Sequence, residues 1–282
     1  LGVFLYSFYE ISSILIRIVL LCYIPLRHSP NTAMAWLLAI YFWPWLGFLL
    51  YAAFGSTALP RERTERHESL LRALGDEKHA FRKVLHDDSH WLPDDLTRFG
   101  ALGKKLGDLS ITTGNSFVLI DEAEKFLRLL RGDVEKARHS VHLLYYIFAR
   151  DTMTEPLFEA LERAAARGVT CRVLVDAVGA KPFLKKDAEC LRQRGIQVKE
   201  ALPSSLLRRT PTMARYDLRN HRKIAVIDGR IGYTGSHNVI EPSYGGKAKG
   251  RLWRDLTLRL EGPVVSQLQG VFLEDWYVES RE

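Results

Sequence analysis

The stretch RNHRKIAVIDGRIGYTGSHN, residues 219–238, gathers side chains that could handle a phosphate. Two β-rich runs, KIAVI and RIGYT, flank Asp228-Gly229, a pair favoured in type I′ hairpin turns. A two-residue turn would set Ile227 opposite Arg230, Lys223 opposite Thr234, His221 opposite Ser236 and Arg219 opposite Asn238. Side chains alternate along a strand and opposed residues share a face. This register predicts His221, Lys223, Ser236 and Asn238 on one side of one hairpin. An imidazole that can act as nucleophile or proton carrier, an ammonium, a hydroxyl and an amide converging there would make a phosphate site. Asp228, inside the turn, cannot join that face, and its expected part is to hold the turn and order its neighbours. Singly, each residue has an ordinary explanation, since a His or Lys at a strand end is usually just solvated. Jointly they form a much rarer pattern.

The elements that must carry these residues show as alternating patterns from Gly114 onward. Residues 116–120 read as a strand, 122–139 as an amphipathic helix and 141–148 as a strand. A helix over 154–167 ends at Gly168, and 169–179 is a buried strand. A helix over 183–194 closes at Gly195, followed by a strand over 196–200. Strands alternating with helices of this length predict an α/β sheet with helices on both faces, a domain over 111–282. No glycine-rich phosphate loop or dinucleotide fingerprint is present, and no repeat of the kind that builds solenoids. Residues 59–110 read as a charged helical connector with breaks at Gly75, Pro93 and Gly103. His67, His79, His86 and His90 within it match no zinc spacing and have no cysteine among them, so no metal and no cofactor is expected.

Charge divides the 282 residues into two unlike parts. Up to Pro60 the only charged side chains are Glu10, Arg17 and Arg27. The rest holds 38 of the 40 Lys and Arg and 32 of the 33 Asp and Glu, a net of +6. The charged part has ample Val, Leu and Ile for a core, which excludes a disordered chain. Cys22, Cys171 and Cys190 are few, odd in number and scattered, which excludes a disulfide-stapled secreted domain and suits a reducing compartment. In front, AMAWLLAIYFWPWLGFLLYAAF (33–54) supplies the roughly 20 apolar residues that a bilayer core of about 30 Å requires. Residues 3–24 are a second span or an amphipathic helix lying in the interface. Glu10 and Arg17 share a face there, and pairing or the neighbouring helix would compensate them. The expected unit is a two-helix transmembrane hairpin over 1–58. Arg61, Arg63 and Arg66 at its exit, against Arg27 in its turn, place the charged body in the cytoplasm.

HRKIAVID is His-x-Lys-x4-Asp, and Gly-Ser-x-Asn follows six residues later as GSHN. The pattern resembles the signature of the phospholipase D superfamily. VHLLYYIF, GVTCRVLVDAVG, WRDLTLRLEGPVV and FLEDWY around it are similar to the first catalytic half of bacterial cardiolipin synthases. The front segment NTAMAWLLAIYFWPWLGFLLYAAFG is similar to the membrane anchor of those enzymes. The resemblance covers nearly the whole chain and is weakest over 61–109. It implies metal-free phosphatidyl transfer, multi-pass attachment to the bacterial inner membrane and phosphatidylglycerol as substrate. His221 would attack phosphorus, a second histidine would protonate the leaving oxygen, and Lys223 with Asn238 and Ser236 would stabilise the equatorial oxygens. Asp255 in WRD stands where relatives supply an acid that orients a catalytic imidazole of the opposite half. Its ordinary alternative is a surface Asp paired with Arg254 or Arg251. Lys181, Lys185, Lys186, Arg208, Arg209 and Arg215 would suit an anionic lipid surface, or are a solvated face.

One departure matters. These synthases carry two such motifs, whereas of the nine histidines here only His221 has a Lys two places on. The expectation is therefore an incomplete, one-motif form of a longer enzyme, whose second half comes from a missing C-terminal domain or a second chain. Two rivals remain: a single-motif phosphodiesterase or nuclease active as a homodimer, and an inactive membrane-anchored remnant. The apolar front argues against nucleic acid as the partner.

Overall fold

The computed structural model describes residues 2–55, 61–73, 88, 91–107, 111–203, 218–245 and 250–280. Gly75, His79, His86, His90, Arg208, Arg209 and Arg215 lie outside the described residues. The chain divides into two compact units, 1–58 and 59–282.

The first unit has three apolar helices: α1 (Gly2–Tyr23), α2 (Pro30–Phe42) and α3 (Pro44–Phe54). α1 is long and apolar enough to cross a membrane by length and composition. The expected continuous helix over 33–54 does not form. Proline at 44 lacks the N–H a helix interior needs, and Trp43 leaves helical geometry at φ −135°, ψ 79°. The chain folds back there. Trp36 of α2 meets Tyr51 of α3 edge to face at 5.4 Å. Gly47 lies against Ile40 so closely that a Cβ would come within 2.7 Å of its Cα. Arg17 makes no pair with Glu10: its Nη2 donates to the Tyr41 carbonyl at 3.1 Å and its guanidinium lies over the Tyr41 ring. The neighbouring helix, not the acid seven residues away, compensates it.

The second unit opens with α4 (Arg61–Ala73) and α5 (Asp94–Gly107), so the break expected at Gly103 is absent. Then come β1 (Ser116–Ile120), α6 (Ala123–Lys136), β2 (Ser140–Tyr145), α7 (Glu155–Ala166) and β3 (Thr170–Asp176). The helix expected over 183–194 is two short ones, α8 (Lys181–Lys186) and α9 (Ala188–Gln193), parted at Asp187. β4 (Gln197–Ala201), β5 (Ile224–Ile227), β6 (Ile231–Gly235), β7 (Thr257–Glu261) and α10 (Val264–Ser280) complete it.

Seven strands form one sheet in the order β1-β7-β6-β5-β2-β3-β4, parallel within β2-β3-β4 and antiparallel elsewhere. β2 and β5 are central and buried on both faces, as strands covered from both sides are. On one face Val141, Leu143, Tyr145, Ala225 and Ile227 pack against Phe126 and Leu130 of α6 and Phe158 and Leu161 of α7. On the other, Leu144, Leu174, Ile224 and Val226 pack against Val265, Phe272 and Trp276 of α10.

The hairpin corrects the expected register. Asp228 and Gly229 take the positive φ of a type I′ turn (52° and 63°), and Ile227 O accepts from Arg230 N at 3.0 Å. Arg230 nevertheless stays out of the ladder, and Ile227 pairs with Ile231. The loop therefore has three residues and the register is one position off. The ladder ends at Ile224↔Thr234, so His221, Ser236 and Asn238 lie beyond the paired residues.

Candidate active site

Asp228 sets the site's frame from a distance. Its carboxylate accepts the backbone N–H groups of Arg138 (2.9 Å), His139 (2.8 Å) and Ser140 (2.9 Å), and its own N–H donates to Ser140 O. Burial pushes its pKa up, but those three N–H bonds outweigh it and hold the carboxyl below its ordinary value. The hairpin turn is thus fastened to the start of β2. β5 then runs antiparallel along β2 and delivers Lys223 and His221 at the C-terminal ends of β2 and β3.

There Lys223 is buried, and its Nζ lies 3.0 Å from His221 Nδ1 and donates to His221 O at 2.7 Å. Tyr146 is the floor: its ring centroid is 4.6 Å from the imidazole and 5.5 Å from Nζ. Burial lowers the Lys223 pKa to about 8, against the opposing pull of the Asp255 charge. Burial also lowers the His221 pKa, the Lys223 ammonium lowers it further, and Asp176 opposes both. His221 itself is exposed. A neutral, accessible imidazole beside an ammonium is the pairing a nucleophile on an anionic phosphodiester needs.

Two carboxylates hold the segment that carries the imidazole. Asp176, fully buried at the end of β3, accepts Asn220 N at 3.0 Å and Arg219 Nη1 at 3.4 Å. Asp275 on α10 accepts Asn220 Nδ2 at 3.1 Å and Arg222 Nη1 at 2.8 Å. Neither was singled out in the sequence. The signal for Asp176 was a lone acid closing the apolar strand VLVD; Asp275 sits unmarked within FLEDWY.

The remaining predicted residues divide. Asn238 is buried beside the floor, its Oδ1 accepting Ile147 N at 3.0 Å and its Nδ2 donating to Tyr244 Oη at 3.5 Å. Ser236 Oγ accepts Leu256 N at 3.0 Å and donates to Leu256 O at 3.4 Å. It fastens the strand end beside Asp255. Asp255 is half-buried, pairs with neither Arg251 nor Arg254, and is close enough for its charge to act on Lys223 and Tyr244. Among the described residues no three His, Cys, Asp or Glu side chains cluster as a metal site would require.

Residues 130–276, just over half of the chain, match the family model described as cardiolipin synthase, PLD-like domain. The chain belongs to that family. Residues 13–56 match a second model, the phospholipase D-nuclease N-terminal segment. Cardiolipin synthase A of Klebsiella pneumoniae subsp. pneumoniae is 34% identical over 260 residues, covering 90% of this chain and 52% of that protein. Cardiolipin synthase A of Yersinia pseudotuberculosis serotype IB is 33% identical over 256 residues with the same coverage. The chain therefore spans about half the length of these curated relatives. Among solved structures, NucT from Helicobacter pylori is 16% identical with a TM-score of 0.45, covering 58% of this chain and 96% of that one. The phospholipase D-like domain thus embraces β2 through most of α10, with every candidate site residue inside it.

Proposed function

We propose that this chain supplies one half of the active site of a membrane-anchored phosphatidyltransferase that makes cardiolipin from two phosphatidylglycerol molecules. Nε2 of His221 attacks the phosphorus of the first lipid, forming a P–N bond as the P–O bond to glycerol breaks. A second histidine, from another His-x-Lys half, protonates the departing glycerol. It then takes the proton of a headgroup hydroxyl on the second phosphatidylglycerol, whose oxygen attacks phosphorus and frees His221. Two lipids give one cardiolipin and one glycerol. Lys223 and Asn238 hold the equatorial oxygens. Asp228 acts only by fixing the hairpin.

The observation that carries this reading is the Lys223–His221 contact above Tyr146. It also argues for two halves. While Lys223 is an ammonium it can only donate, so the Nδ1 it meets then presents a lone pair and the proton of a neutral ring sits on Nε2. Attack through Nε2 requires the other tautomer, with Nδ1–H donated to a carboxylate. Asp255 of an opposing half is the residue assigned to that place. The exposed Leu252, Trp253 and Leu256 beside Asp255 offer an apolar surface for acyl chains or for that half. The apolar first unit is read as the anchor, with the catalytic unit in the cytoplasm.

The test is turnover of phosphatidylglycerol vesicles by the chain, alone and with a second half added, with acid-labile radiolabel trapped on the protein. Label that appears with the second half and is lost in His221→Ala supports the reading. Turnover of DNA but not of lipid would favour a nuclease, and label independent of His221 would remove the mechanism.

A further inference from the structure

The first unit is not shaped like two membrane spans. At 1.5 Å per residue the 22 residues of α1 reach about 33 Å, but the 13 of α2 and 11 of α3 reach only about 20 and 17 Å. A hydrocarbon core is about 30 Å thick. Because α2 and α3 lie antiparallel, Gly55 returns to the level of the turn at residues 24–29. Tyr51 near the end of α3 meets His28 of that turn at 3.2 Å and packs edge to face on Tyr23. The fold-back at Trp43 lies at the opposite end, where Trp45 Nε1 donates to Ser12 Oγ of α1 at 3.2 Å.

We propose that α2 and α3 form a re-entrant hairpin that enters one leaflet and returns, so that α1 alone crosses the bilayer. The proposal rests on the reading of this unit as a membrane anchor. Folding back inside lipid strands the last carbonyls of α2 where no water can reach them, and such a break persists only where protein donors satisfy them. Arg17 is that donor. Its guanidinium bonds the Tyr41 carbonyl, and a cation at a helix C-terminus also meets the negative end of the helix dipole. This gives a cation in an apolar helix a structural task that pairing with Glu10 does not. The outward sides of the hairpin are apolar: Met34, Leu38, Phe42, Leu46 and Leu49 are each more than half exposed, a surface for acyl chains.

Charge distribution supports the same arrangement. In a two-span hairpin Arg27 would lie across the membrane from Arg61, Arg63 and Arg66. In the re-entrant arrangement all four lie on one side. Basic residues collected on one side are what membrane insertion favours.

The test uses the full chain in sealed membrane vesicles of known orientation, with Cys22, Cys171 and Cys190 replaced by Ser. Single cysteines are introduced as Gly2→Cys, Ser29→Cys and Lys185→Cys and challenged with a membrane-impermeant maleimide. Ser29→Cys and Lys185→Cys should react from the same side, and Gly2→Cys from the other, with at least tenfold preference. Reaction of Ser29→Cys from the side opposite Lys185→Cys would overturn the hairpin while leaving the anchor reading intact. Release of the chain by alkaline carbonate, with all three cysteines labelled alike, would overturn both.

Discussion

The Asp275 carboxylate holds the Arg222 guanidinium through contacts of 2.8 and 3.1 Å, and Arg222 is the residue between His221 and Lys223. The same carboxylate takes the Asn220 amide, so α10 grips the motif on both sides of the imidazole. α4 braces α10 in turn: Arg63 pairs with Glu279 and approaches Asp275 at 3.8 Å, and Arg66 donates to Val278 O at 2.8 Å.

Asp275→Asn should therefore lower kcat about tenfold in a two-half enzyme with KM little changed, because the segment carrying His221 is loosened and no substrate contact is lost. Hydrogen bonds to charged groups contribute about 1.5–3 kcal/mol, and Arg222 is exposed, so the loss in stability should be nearer 1 kcal/mol. Steady-state kinetics and thermal melts check both. A change confined to KM would mean that Asp275 acts on substrate binding.

Asp228→Asn tests the fastening of the hairpin. The folded pKa of Asp228 is held down, so its stabilisation is complete above the ordinary carboxylate range and is lost as pH falls through the folded value. The variant should lose about 2 kcal/mol at neutral pH and show a flatter acid limb in melting temperature against pH. An acid limb identical to that of the parent would show that Asp228 is not the group responsible.

Lys223 should produce opposite trends in activity and stability. Its folded pKa of about 8 means that phosphate binding weakens as pH rises through 8. Between 8 and its unperturbed value of 10.5 the unfolded chain binds more protons, so this group's contribution to stability rises with pH. Lys223→Arg, whose charge does not titrate there, should move the alkaline limb of activity upward even if its maximum rate is lower. An unmoved limb would assign it to another group.

Ser236 and Asn238 should separate. Asn238→Ala removes an amide beside the floor of the site and should cut the rate about a hundredfold, the scale of losing one transition-state donor. Ser236→Ala removes only bonds to Leu256 and should cost less than about tenfold, expressed as a loosened Asp255 segment. Equal losses in the two variants would contradict the division.

The alternation of strands and helices after Gly114 was legible because apolar period and glycine stops act locally. The meeting of His221 with Lys223 was also legible, although the argument for it was partly wrong. A two-residue turn sets the pairing one position off, because Arg230 stays outside the ladder. Asp228 is also tied to the start of β2, a contact between positions about ninety residues apart that no local pattern reveals. Asp176 and Asp275 were missed for the same reason. Pro44 in the sequence predicts a kink, but the size of the break depends on Gly47 and Ile40 packing face to face.

The fastening at Asp228 turns a spacing into a ruler. The four residues between Lys223 and Asp228 are the whole of β5. With Asp228 fixed at the start of β2, each residue of β5 advances the chain by about 3.3 Å and turns the next side chain over. One residue more or fewer would deliver the ammonium to the opposite face of the sheet, among the apolar side chains facing α10, and no adjustment of the turn could bring it back. Length added at Gly229 or Arg230 lies beyond the fixed point and would leave His221 and Lys223 where they are. An insertion within β5 should thus carry Lys223 away from the Tyr146 floor, whereas the same insertion two residues after Asp228 should leave it there.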